Sequence, residues 1–321
     1  MSGGVTLKRR LKVGLLFAFK LLGGFHLCRR LSRRKLRILC YHGLALEDEY
    51  LLDDILFMRP ETFRRRMRAL KKWRMNVIGL DAAVSALPRD EQPDQGVVIT
   101  FDDGWFSTLQ ALPILAEFGF PSTTYVATYY AIKQTSVFNV IIRYLLWKGG
   151  HRDAAEVART VKAGVTQDRA MHERIIRETA TRFGIDLDPI EKRRMFHYMD
   201  HQEMRALPDS GMAIELHTHR HRFPMDPALA AAEIADNRRA LQQVRPGSYE
   251  HFCYPSGIFQ DVQLAWLGSL GIKSATTTRP GFNTPQTPLL QLNRFLDREM
   301  LTDLEFEAEI CGVGELWRGR R

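Results

Sequence analysis

"VVITFDDGW", residues 97–105, is a run of β-branched and aromatic residues that stops on two adjacent carboxylates and a glycine. A short apolar run of this kind reads as a buried strand, and Gly104 as the turn that ends it. Asp102 and Asp103 repel each other, and burying them is costly unless something neutralises them. A core strand that ends on paired charges therefore calls for a cation at that end.

The same rhythm spreads outward. Upstream, "LRILCYHG" (36–43) is a second strand-like run, ending in Tyr41, His42 and a turn glycine. "RPETFRRRMRALKKW" (59–73) predicts a helix, with Pro60 near its start and Phe63, Met67 and Leu70 at helical spacing. "MNVIGL" is a short strand and "DAAVSAL" begins another helix. Downstream, "LQALPILAEFG" predicts a helix closed by Gly119, and "FPSTTYVAT" a strand. From about residue 131 to 210 charged, helix-favouring sequence interrupts the alternation. It resumes with "GMAIELHTH", "HFCYPSG", the helix "DVQLAWLGSLG", "IKSATTT" and "LLQLNRFL", and a last helix "MLTDLEFEAEICG" follows. Strand–helix alternation implies parallel strands with crossover helices. The expected fold is α/β: a deformed or incomplete (β/α) barrel with a helical insertion and an N-terminal basic, apolar helix. No glycine-rich GxGxxG or GxxxxGK loop follows a strand, which disfavours nucleotide cofactors.

Charge is concentrated at one end. The 321 residues hold 46 Lys/Arg and 37 Asp/Glu, but residues 1–40 hold eleven Lys/Arg and no acid, which leaves 35 basic against 37 acidic elsewhere. A nucleic-acid-binding domain would carry its basicity on the folded body, interleaved with aromatics, and no such stripe is present. The segment from Val13 to Cys28 is short for a span, contains Lys20, His26 and Gly23-Gly24, and has basic clusters on both sides. No small-residue cleavage site follows it, as a signal peptide would require. An apolar centre with basic flanks suits a helix lying on an anionic membrane surface; the alternative is a helix packed on the protein body. The four cysteines (Cys28, Cys40, Cys253, Cys311) lie far apart, which suits a reducing compartment. The expected location is cytoplasmic, peripheral at the inner face of the membrane. The expected organisation is an N-terminal segment over 1–35, a main domain over 36–310 with an insertion at about 131–210, and a basic tail over 311–321.

The second informative stretch is "IELHTHRHRFP" (214–224), a strand that runs out into His217, His219 and His221. Neutral imidazole is a good zinc ligand, and two of these with a carboxylate would leave an open position for water. In a continuing strand the three histidines share one face; if the chain turns at Thr218, His217 and His221 converge. Spacing alone does not decide which two would bind, and a histidine-rich polar loop is the alternative. If both stretches end at one rim of the sheet, a divalent cation neutralises one carboxylate and frees the other as a base. Carboxyl-side strand ends are where (β/α) folds assemble active sites.

The pair Thr100-Phe101-Asp102-Asp103-Gly104 and His217-Thr218-His219-Arg220-His221 resembles the first two motifs of the NodB-homology polysaccharide deacetylases, carbohydrate esterase family 4. The resemblance covers roughly residues 36–130 and 200–300. It implies a deformed (β/α) barrel that hydrolyses N-acetyl groups from amino sugars of a polysaccharide or lipid-linked glycan. It further implies Asp102 as catalytic base and a divalent metal, expected to be Zn2+, held by Asp103, His217 and His221. "FCYPSG" (252–257) resembles the third motif, whose turn supplies a backbone N–H to the oxyanion, with Ser256 at the matching position. Two departures stand out. The third motif usually begins with an arginine supporting the catalytic aspartate, and Cys253 stands there. The fifth motif usually offers a histidine as general acid, and the matching strand has Asn293 and Arg294. Arginine stays charged at neutral pH and cannot fill that role. His42, expected on the same rim, is the substitute candidate for acid or sugar contact, ahead of His219. The alternatives are a glycan-binding or scaffold protein that has lost turnover, and a hydrolase of another small amide or ester.

Overall fold

The computed structural model describes residues 7–151, 154–165 and 169–318. Residues 1–6 of the N-terminal segment, part of the insertion, and 319–321 of the basic tail lie outside the described residues.

The quoted run forms β5 (Gly96–Phe101), every residue of it buried. Ahead of it come β1 (Arg37–Tyr41), the two-residue strands β2 (Gly43–Leu44) and β3 (Phe57–Met58), and β4 (Asn76–Val77). After it come β6 (Ser122–Val126), β7 (Met212–Leu216), β8 (His251–Cys253), β9 (Ser274–Thr276) and β10 (Phe295–Leu296). All pairings between these strands are parallel, in the order β10-β1-β5-β6-β7-β8-β9, with β4 beside the start of β5 and a separate β2-β3 pair. The sheet curls until one short segment meets both edges. Leu292 bridges Thr276 at the end of β9, while Phe295 and Leu296 pair with Leu39 and Cys40 of β1. This is a curled parallel sheet with helices around it, the (β/α) barrel expected from the alternation.

Register fixes what meets at the rim. Tyr41 pairs with Phe101, so His42 and Asp102 follow side by side. Leu216 pairs with Phe252, so His217 and Cys253 do the same. Alternation sets Ile38 and Cys40 on the inner face with Val98 and Thr100, while Leu39, Val97, Ile99 and Phe101 pack on the surrounding helices. The helices come in chain order: α1 (Leu7–Leu21), α2 (Gly24–Leu31), α3 (Pro60–Lys72), α4 (Leu80–Ala86) and α5 (Ala111–Phe118), which Gly119 ends at φ 67°. Among the described residues, six helices fill the interval between β6 and β7: α6 (Thr128–Lys133), α7 (Phe138–Lys148), α8 (Ala154–Val165), α9 (Arg169–Arg182), α10 (Asp188–Lys192) and α11 (His201–Ala206). α7 buries Ile141, Ile142 and Leu145 in the same core as β5, so this insertion shares the barrel's hydrophobic cluster. α12 (Pro227–Val244), α13 (Asp261–Ser269), α14 (Asp303–Cys311) and α15 (Val313–Arg318) complete the chain.

One buried cation ties the N-terminal segment to the barrel. Arg37, fully buried at the start of β1, donates to the carbonyls of Ile310 (2.7 Å), Lys35 (2.7 Å) and Ser32 (3.1 Å) and to Ser32 Oγ (2.8 Å). Its loss leaves several buried acceptors unpaired. Arg37→Met is expected to lower unfolding free energy by about 3 kcal/mol, read as a shifted urea midpoint with an unchanged slope.

Candidate active site

The rim carries the two carboxylates in different surroundings. Asp102 Oδ1 and Oδ2 each lie 2.7 Å from Arg294, on Nη1 and Nη2 respectively. The guanidinium is fully buried inside the barrel, and all its N–H groups face acceptors. Nε donates to the Thr277 carbonyl, Nη1 also to Thr100 Oγ1, and Nη2 also to Cys253 Sγ at 3.1 Å. Burial alone would raise the Asp102 pKa, but the forked guanidinium holds it well below the usual carboxylate range.

Asp103 is turned the other way. Its φ of 75° and the 91° of Gly104 put two consecutive residues in the left-handed region. A Cβ at Gly104 would fall 2.8 Å from Val126 Cγ1, so glycine is required there on both counts. Asp103 Oδ2 accepts from Trp105 Nε1 at 2.9 Å. Its Oδ1 meets two imidazoles, His217 Nε2 and His221 Nε2, each at 3.2 Å. Burial would raise this pKa too, and the imidazoles of His221 and His217 hold it far down.

The histidine loop converges because the chain turns. Thr218 has φ 63° and His221 φ 53°, which breaks the strand's alternation and brings the two rings to 4.8 Å between centroids. His219 goes elsewhere. Its Nδ1 pairs with Thr128 Oγ1 at 2.8 Å and its ring stands edge-on to Tyr129, so it pins the loop to α6. α12 braces the rest. Asn237 accepts from the His217 backbone N–H and donates to the Val126 carbonyl and Thr128 Oγ1. Glu233 accepts from the backbone N–H of Arg220 and from the side chains of Arg220 and Arg222.

This donor set fits a divalent cation. His217 Nδ1 lies 2.8 Å from the Cys253 carbonyl oxygen, so that nitrogen carries the proton and donates it. To bond Asp103 Oδ1, Nε2 must carry a proton as well; burial alone would lower the ring's pKa, but Cys253 and Asp103 beside it hold it well up. His221 aims a second Nε2 at the same oxygen, and one carboxylate balances only one imidazolium. A cation accepting from all three atoms removes the conflict. The atoms lie within 4.8 Å of one another. Two other triads, Cys40-His42-Asp102 and Asp102-His217-Cys253, meet the same distance limit. Both use Asp102, whose charge Arg294 already balances, and burial pushes the Cys40 thiol pKa well up.

A family model described as polysaccharide deacetylase matches residues 89–275, the interval that holds both carboxylates and the histidine loop. The chain belongs to the polysaccharide deacetylases. As a member of that family it is a hydrolase. Comparison with curated proteins finds no match. Among solved structures it is similar to the Streptococcus pyogenes deacetylase PplD in complex with acetate (19% identity, TM-score 0.61, covering 86% of this chain and 98% of that one). It is also similar to IcaB from Ammonifex degensii (16%, 0.59, 86% and 97%) and to a de-N-acetylase from Aggregatibacter actinomycetemcomitans (12%, 0.58, 86% and 99%). At these identities the likeness is one of fold.

In this deacetylase the two departures from the family's motifs prove to be linked. Cys253 stands where the supporting arginine usually begins the third motif, and it can support nothing as a cation. Arg294, on the segment where the family usually carries its fifth-motif histidine, reaches across the barrel and grips Asp102 instead. Cys253 Sγ fills the vacated corner, 3.4 Å from Asp102 Oδ2, with Cys40 Sγ at 3.5 Å. The lost and the gained arginine were both visible in the sequence, and only the barrel's closure shows that they face one carboxylate. His42 lies next to Asp102; its buried Nδ1 has no hydrogen-bond partner among the described residues. Ser256 sits in an exposed turn at φ 57°, three residues beyond the Cys253 carbonyl that orients His217.

Arg294→Lys keeps the charge but cannot fork onto both oxygens. Its kcat is expected to fall by roughly 10²-fold, the cost of a misplaced group, with bound metal unchanged by elemental analysis. Asn237→Ala is expected to weaken metal affinity by about 10–100-fold through the freed His217 loop, read by competition with a chromogenic chelator.

Proposed function

We propose that this deacetylase removes N-acetyl groups from amino sugars of a polysaccharide or lipid-linked glycan, with a divalent cation, zinc by donor type, held by Asp103, His217 and His221. The observation that carries this reading is the convergence of two imidazole Nε2 atoms on Asp103 Oδ1 at 3.2 Å beside an unliganded, ionised Asp102. When bound, the cation supplies Lewis acidity for the acetamide carbonyl and makes its water acidic near neutral pH.

The chain's own groups do the rest. Asp102 takes a proton from the attacking water, and Arg294 keeps that carboxylate ionised and its two oxygens fixed. The low basicity that Arg294 imposes keeps Asp102 ionised but makes it a weak base, so its contribution is chiefly to orient the water and receive its proton. The backbone N–H of Ser256 donates to the developing oxyanion. His42, next to Asp102, gives the leaving nitrogen its proton as the C–N bond breaks, so that one amide and one water become acetate and a free amine. The structurally similar PplD was obtained with acetate, the small product of such a reaction. A different small amide or ester would meet the same chemistry, and the glycan assignment rests on the family.

Acetate release from N-acetylglucosamine oligomers separates enzyme from binder. Asp102→Asn is expected to lower turnover by about 10²–10⁴-fold with metal retained, whereas Asp103→Ala and His217→Ala lose the metal as well. Unchanged rates in Asp102→Asn would remove that residue from the mechanism. Glycan binding without acetate release by the metal-loaded wild type would favour a binding protein.

A further inference from the structure

α1 is turned inside out relative to an ordinary surface helix. Two of its charges point at the protein: Arg9 reaches Glu305 (2.9 Å) and the Met300 carbonyl, and Lys20 reaches Glu307 (2.5 Å), which Arg29 of α2 also meets (2.8 Å). Between them Leu16, Phe25 and Cys28 pack on Ala308, Cys311 and Val313. The other leucines face outward. Leu11, Leu15, Leu21, Leu22, Leu27 and Leu31 are all more than half exposed, Leu22 at 85%. A helix that simply covers a soluble body shows the reverse pattern. Scattered exposed leucines are ordinary, but six within residues 11–31 make a patch that calls for an occupant.

Charge decides which occupant. Arg10, Lys12 and Arg30 edge the patch, exposed and without an ion pair among the described residues, in a stretch with no acidic residue. A second copy of this face would oppose those cations to their own equivalents. Neither helix is long enough to span, and none among the described residues is both long and apolar enough to cross a membrane. The pair bends by 79° between Leu21 and Gly24, with Gly23 at φ 80°.

We propose that this face docks on an anionic lipid bilayer, with the leucines at the boundary of headgroups and acyl chains and Arg10, Lys12 and Arg30 among the headgroups. α1 crosses α14, with Arg9 at Glu305, Leu16 in the apolar cluster with Ala308 and Val313, and Lys20 back at Glu307, while the Ile310 carbonyl of α14 bonds Arg37 at the base of β1. The patch therefore lies over α14, on the outer side of the barrel. The inference is independent of the proposed chemistry.

The test uses the full chain with vesicles of phosphatidylcholine, or of phosphatidylcholine mixed with phosphatidylglycerol, in a sedimentation assay. The wild type is expected to sediment with the mixed vesicles and far less with phosphatidylcholine alone. Leu15→Asp with Leu22→Asp should weaken binding roughly tenfold per leucine while circular dichroism and acetate release from soluble oligomers stay unchanged. Arg10→Glu with Lys12→Glu should abolish the preference for phosphatidylglycerol. Equal sedimentation of the wild type and the leucine variant, or no binding of the wild type to either vesicle, would overturn the proposal. So would a dimer in solution that the leucine substitutions dissociate without any vesicle binding.

Discussion

Two adjacent carboxylates in a buried position must be neutralised separately, and the site is built around that requirement. Asp102 and Asp103 leave β5 together, and the left-handed turn through Asp103 and Gly104 sends them to opposite counter-charges. Asp102 takes a permanent cation, the Arg294 guanidinium, at two 2.7 Å contacts. Asp103 takes a pair of imidazoles at 3.2 Å, whose geometry favours a metal ion over protons. One carboxylate is thus held ionised against a fixed cation, while its neighbour faces two imidazoles in the way a metal ligand would. That division of labour is what hydrolysis beside a metal needs.

The division depends on parts of the chain far from β5. Trp105, which donates to Asp103, stacks edge-on against Tyr198 at the far end of the helical insertion, and Met199 N–H bonds the Gly104 carbonyl. Asn237 on α12 holds the His217 backbone, and the Cys253 carbonyl at the end of β8 sets that ring's tautomer. Arg294 comes from the segment that joins the two edges of the curled sheet. The insertion, the outer helix and the barrel closure therefore all bear on the same two oxygen-rich side chains. Preorganisation here is a property of the whole fold rather than of two motifs.

Much of this was legible in the sequence, for physical reasons. Parallel strands buried on both faces read as apolar runs, which is why β1 and β5 stand out, while β6 (Ser122–Val126) is legible from its β-branched and aromatic residues instead. The strand read in "LLQLNRFL" is shorter than expected: Leu289–Gln291 form a 3-10 turn, and only Phe295 and Leu296 at its end pair with β1. Convergence of His217 and His221 was one of two open readings, because it needs Thr218, a β-branched residue, in the left-handed region, where such residues are rare. Arg294 was legible only as a poor acid. Its role as counter-ion requires knowing that β8 and the segment before β10 face Asp102 from two sides. The N-terminal segment hid its packing for a different reason: both of its faces carry apolar residues, and only the docked structure shows which leucines Glu305 and Glu307 leave outside.

The central claim is that a single cation sits on Asp103, His217 and His221 while Asp102 and the neighbouring thiols stay unligated. X-ray absorption at the zinc edge of the zinc-loaded protein tests it most directly. One ion per chain is expected, with only nitrogen and oxygen neighbours at about 2.0–2.2 Å, two of them imidazoles. A sulfur neighbour at about 2.3 Å would place the ion with Cys253 or Cys40 beside Asp102, and would contradict it.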